Sequence, residues 1–119
     1  MKKLLFVAAF VLLGGFASAQ QWLQVTAVES VVPGGLGRSR LITMSKDGKM
    51  EEVKIENFFS MVGINFGNIR NNDQVICEKI TELTKEGWEL KFVTTGVESD
   101  AGKDDGSGLF ITRYIFYKK

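Results

Sequence analysis

The chain has no histidine, one cysteine (Cys77), one proline (Pro33), and no excess of either charge: 15 Lys and Arg stand against 14 Asp and Glu in 119 residues. Without histidine the commonest general base and the commonest metal ligand are both missing, and Ser-His-Asp or Cys-His catalysis within one chain is excluded. A lone cysteine allows no internal disulfide, so stability must come from packing or from a partner chain. We expect Cys77 to be a small buried hydrophobe; the functional alternatives are a redox sensor or an intermolecular disulfide. The balanced charge gives no basic surplus for nucleic acid and no acidic tail for a cationic partner.

Long apolar runs are also scarce. The longest, Leu4 to Phe16, is 13 residues and contains Gly14-Gly15, too short for the ~20 helical residues that span a bilayer. Lys2 and Lys3 precede it and Ala17-Ser18-Ala19 follows, which is the layout of a cleaved secretory signal peptide over residues 1–19. Export to the periplasm or exterior is the expectation, with no membrane attachment after cleavage. No cysteine stands at the cleavage site, which argues against a lipoprotein. Residues 20–119 then form a single domain, large enough to bury one modest core.

Along that domain, Gln21–Ser30 reads as a first strand, broken by Val31 to Gly37 with its proline and glycines. Leu41–Ser45 and Met50–Ile55 read as two strands around Asp47-Gly48, a tight-hairpin dipeptide, and the charges of the second suggest an edge. Residues 56–71 are apolar but broken by Gly63, Gly67 and four asparagines. A segment of this kind is expected to cover a sheet face or, failing that, to meet a partner. Ile76, Ile80 and Leu83 share one helical face, while Glu78, Lys79, Thr81, Glu82 and Lys85 fall on the other. Asn72 or Asp73 is the expected cap, Gly87 the stop, and a Glu82–Lys85 pair the side-chain support. Trp88, just past the stop, is expected to be buried between helix and sheet. Glu89–Gly96 then alternates as a strand, residues 97–108 read as a polar loop, and Leu109–Lys118 as a long strand apolar on both sides. Such a strand is usually covered on both faces, which would put segment 58–69 or a second subunit opposite the helix. The sum is an α+β fold: an antiparallel sheet of about four to five strands with one main helix packed on one face.

The run Lys85-Glu86-Gly87-Trp88-Glu89-Leu90, followed by a strand, a loop and a strand closing in Tyr-x-Phe-x-Lys (here Tyr114, Phe116 and Lys118), resembles a group of short bacterial domains of unknown function. Their hallmark is a GWEL turn after the helix. The resemblance covers about Gln21–Ser30 and Asn72–Lys118. It implies an antiparallel sheet carrying one helix and implies no activity.

Candidate chemistry is thin. Pro33 to Arg40 is the best recognition stretch: Gly35 and Gly37 expose backbone N–H groups, and Arg38 and Arg40 offer guanidinium groups to a carboxylate or phosphate. The alternatives are solvated charges, or arginines bonded to strand-end carbonyls or to Glu51 or Glu52. Asp100, Asp104 and Asp105 resemble a calcium loop in composition only, since the ligand order and closing Glu are missing. Glu51 and Glu52, adjacent in a strand, should point to opposite faces. No catalytic residue, metal or cofactor is assigned. The expected function is a non-catalytic binding or protein-interaction module, leaving open self-association through a sheet edge or segment 58–69; the alternative is a hydrolase working with carboxylates alone. A pocket with two converging carboxylates would favour the enzyme, and an exposed apolar surface the module.

Overall fold

The computed structural model describes residues 20–32, 38–99 and 108–119. The signal-like segment, Gly35, Gly37 and the aspartates Asp100, Asp104 and Asp105 lie outside them. Among the described residues, seven strands and one helix follow in the order β1 (Gln21–Val31), β2 (Arg40–Ser45), β3 (Met50–Lys54), β4 (Phe59–Ser60), β5 (Gly63–Ile64), α1 (Phe66–Lys85), β6 (Glu89–Ser99) and β7 (Gly108–Lys118). The main sheet is antiparallel with order β3-β2-β1-β7-β6, and β4-β5 make a separate two-stranded ribbon. This is the expected α+β fold.

Period-2 alternation sorts the sheet into two faces. Leu23, Val25 and Ala27 are buried in β1, with Phe116 opposite Leu23 and Leu41 opposite Ala27 across the neighbouring strands. They join Ile55 and the helical Ile76 and Leu83 in one apolar cluster, and Val75, Ile80, Trp88 and Tyr114 pack against it. The residues between them face the other way. There Trp22, Met44, Met50 and Phe92 are all exposed.

The β2–β3 hairpin turns at Gly48, whose φ of 78° suits glycine. β3 is an edge strand, as its charges suggested. At the far end of α1, Gly87 takes φ 96°. Its N–H bonds Thr84 O at 3.1 Å and the Trp88 N–H bonds Leu83 O at 3.0 Å, the paired bonds of a Schellman stop. Trp88 is half-buried rather than enclosed: it packs on the cluster with one ring face, and Lys118 Nζ lies 5.0 Å from the ring centroid.

The helix cap lies seven residues before Asn72, the earlier of the two expected caps. Asn65, not Asn72 or Asp73, is the cap, and its side chain accepts from the Asn68 N–H. Segment 56–71 therefore divides into a ribbon and the first turns of α1. Phe58 stacks near Phe110, ring centroids 5.6 Å apart. Phe110 has the same parity in β7 as Phe116, so this contact is on the helix side. The segment does not occupy the opposite face.

Candidate functional site

The glycine-arginine stretch is fastened at both flanks by a buried polar knot. Ser39 Oγ accepts from the Ser30 N–H at 2.9 Å and Ser30 Oγ donates to Asn57 Oδ1 at 3.0 Å. Asn57 also accepts from the Val32 N–H at 3.0 Å and donates to Val32 O at 2.9 Å and Phe59 O at 2.8 Å. Its amide thus pairs with Val32 as a strand neighbour would, satisfying backbone groups that the loop leaves behind. Of the two arginines, Arg38 is exposed. Arg40 Nε sits 3.1 Å from Glu52 Oε1, and its NH1 donates to Ser39 O at 2.8 Å. The Arg40 guanidinium is thereby committed to a cross-strand carboxylate and a strand-end carbonyl.

A second polar cluster lies at the other end of the sheet. A cleft of about 530 Å³ opens between the β2–β3 turn and the last turns of α1, with Trp22, Glu51, Lys79, Glu82 and Trp88 on its walls. Lys79, assigned from spacing to the wet side of the helix, is only 7 % exposed. Its Nζ donates to Glu51 Oε2 and Glu82 Oε2, each at 3.0 Å. Burial by itself lowers the ammonium pKa, but the bonds and charges of Glu51 and Glu82 outweigh it, and the net shift is upward. Glu82 thus pairs with Lys79, not with Lys85. Glu51 and Glu52 do point to opposite faces, one to Lys79 and the other to Arg40.

Between these clusters Asn72 is buried inside α1. Its Oδ1 accepts from the Glu56 N–H at 2.7 Å, and its Nδ2 donates to Glu56 O at 2.7 Å and Glu29 Oε2 at 3.2 Å. Burial raises the Glu29 pKa; the Asn72 bond pulls it down and the charge of Asp73 pushes it up. The nearby Tyr114 hydroxyl is raised by burial and then by Glu29 and Asp73. The sequence offered Asn72 only as a cap and Lys79 only as a wet-face residue, and passed over Glu29, because the contacts Asn72–Glu56, Asn72–Glu29 and Lys79–Glu51 join residues 16, 43 and 28 apart.

Cys77 is exposed, not buried: it falls outside the Ile76–Ile80–Leu83 face by a full 100° step. No group of three metal-capable side chains forms among the described residues, and no described helix is long and apolar enough to cross a membrane.

The free edge of the sheet at β6 differs from all of this. β6 is 11 residues long and hydrogen-bonds only β7. Every residue from Glu89 to Glu98 is exposed. Phe92 stands 58 % exposed on one side, and Val93 and Val97 stand 52 % and 63 % exposed on the other, where α1 leaves them open. A register shift between Leu90 and Phe92 marks a bulge at the start of the strand, after which pairing with β7 is regular. The opposite edge, β3, is 5 residues long and carries Glu51, Glu52 and Lys54. Short length and charge protect an edge; β6 has neither between Phe92 and Val97. Comparison with known proteins adds no name to this geometry: no family model, no curated protein and no solved structure matches the chain.

Proposed function

We propose that the protein is a small exported, non-catalytic interaction module that takes up a partner strand along the free edge of β6. The observation that carries this reading is the edge itself: a regular strand with open backbone groups, apolar on both sides and without a charge over its central residues. Strand addition uses those groups for affinity and the alternating side chains for selection. Export rests on the Met1–Ala19 segment, whose removal would leave a chain beginning at Gln20. The kinship with GWEL-turn bacterial domains belongs to the same proposal. The enzymatic alternative is weaker, because the two carboxylates that converge in the cleft each give an oxygen to the Lys79 ammonium.

A photo-crosslinking amino acid placed at Thr95 in the exporting cell tests the reading. Adducts from Thr95, with none from the likewise exposed Val62 in the β4–β5 turn, are expected. A Thr95 site that yields no adduct while Val62 does would overturn it. Intact mass of the exported protein should start at Gln20, and a chain retaining Lys2 and Lys3 would remove export.

A further inference from the structure

We infer that the strand received by β6 is β6 of a second copy, joined about a two-fold axis that passes through Thr95. This rests on the strand-addition reading and adds to it the identity and register of the partner. Two identical edge strands run antiparallel side by side only when the two-fold axis is perpendicular to the sheet. Directly opposed residues then lie on the same face and have the same parity, so the residue numbers of each opposed pair sum to an even value.

Few such registers exist, and the side chains of β6 separate them. Centring on Thr95 places Val93 opposite Val97 of the other copy, twice, on the side of α1. Phe92 then faces Glu98 and Thr94 faces Gly96 on the other side, and no like charges meet. Centring on Thr94 sets Val93 against Thr95 and Val97 against the bulge at Leu90 and Lys91. Centring on Gly96 opposes each valine to a polar residue, and centring on Val93 joins Val93 to its own copy once while setting Phe92 against Thr94 and Val97 against Glu89. Only the Thr95 register makes two apolar pairs within the regular stretch after the bulge, joining the exposed Val93 and Val97 twice, and apolar cross-strand pairs are what stabilises a sheet ladder. The bulge near Lys91 lies outside the paired stretch. The product is one continuous ten-stranded sheet, with both helices on the same side and the charged β3 strands as its outer edges.

Sedimentation of the purified protein, with spin labels on cysteines introduced into a Cys77→Ser background, tests this. A dimer is expected, with backbone positions at Thr95→Cys about 5 Å apart and those at Glu98→Cys about 20 Å apart, six residues of strand. The Thr94-centred register would put the Glu98→Cys pair near 27 Å instead, and that result overturns the assignment. Val93→Lys with Val97→Lys sets like charges opposite each other twice and should give monomer. Val93→Lys with Val97→Glu should restore the dimer. Both positions are exposed in the single chain, so neither pair threatens the fold. Sedimentation as a monomer, with Thr95 adducts in the cell only to a different protein, overturns self-pairing and leaves strand addition standing. Monomer without any adduct overturns both.

Discussion

Replacing Lys79 should cost little, and removing its two partners should cost much more. The Lys79 side chain is 8 % exposed, whereas those of Glu51 and Glu82 are 58 % and 54 % exposed. In Lys79→Met the carboxylates lose a cation but swing into water, and the thioether refills the space of the lysine stem. No buried charge remains, so the change should stay within about 1 kcal/mol. In Glu51→Ala with Glu82→Ala the ammonium stays buried with no acceptor. Uncompensated buried charges cost 3–5 kcal/mol; the open side of the cleft admits some solvent, which brings the expectation to about 3 kcal/mol. Adding Lys79→Met to the double variant should recover most of that loss. Urea unfolding at constant m-value reads all four proteins. The pH dependence gives a second reading. The folded-state pKa of Lys79 is raised above its ordinary 10.5, so its contribution is fully present below 10.5 and is lost as pH rises through the folded value. Lys79→Met should therefore flatten the alkaline fall in stability. A cost above about 3 kcal/mol for Lys79→Met, or below about 1 kcal/mol for the double alanine variant, would refute this account of the triad.

Asn72→Ala strips the Glu56 N–H and C=O of their partner and should lower stability by about 2–3 kcal/mol in thermal or urea unfolding; a loss under about 0.5 kcal/mol would mean water replaces the amide freely. Gly87→Ala places a Cβ at φ 96°, 3.2 Å from the movable Lys118 Cε, and should cost about 1 kcal/mol from the backbone alone. Glu29→Gln keeps an acceptor for Asn72 and removes a half-buried charge. The raised carboxyl favours the folded state below pH 4.5 and loses that contribution as pH rises through its folded value. The variant should thus be the more stable at pH 7, with the advantage vanishing as pH falls below 4.5; equal stability at both pH values would argue against the burial. Cys77→Ser, on the outer face of α1, should leave the oligomeric state unchanged on a non-reducing gel and in sedimentation.

The five strands of the main sheet, the Asp47-Gly48 turn and the Gly87 stop were legible because each depends on neighbours in sequence, but β6 runs on to Ser99, through residues read as loop, and the short β4 and β5 were not foreseen. The start of α1 was not. Asn65, Gly67, Asn68 and Asn71 read as breakers, since short polar side chains and glycine lower helix propensity. The fold uses two of them: Asn65 caps the first turn locally, and Asn68 Nδ2 donates to Asn57 O at 2.9 Å, 11 residues back in the chain. Propensity yields here to bonds with a segment that local spacing cannot see. Lys79 was misplaced for the same reason, because it took a carboxylate from the β2–β3 hairpin to draw a lysine inward. The arginine stretch drew notice for its chemistry, yet Arg40 is answered by Glu52, a residue on the adjoining strand. The free β6 edge was hidden in another way: a strand's place in the sheet order is decided by which strands arrive beside it.

Asn72 and Lys79 are seven residues apart, about two turns, and so lie on one line along α1. Between and beside them the apolar contacts are Ile76, Ile80 and Leu83, chemically alike and spaced at three and four. A helix held by those alone could slide one turn and bury a similar set. The two polar side chains forbid it: a shift of one turn, about 5.4 Å, would take Asn72 off Glu56 and Lys79 off Glu51 together. They work as dowels that key the helix to one seat on the sheet, and a chain lacking both should lose uniqueness of docking before it loses helix content.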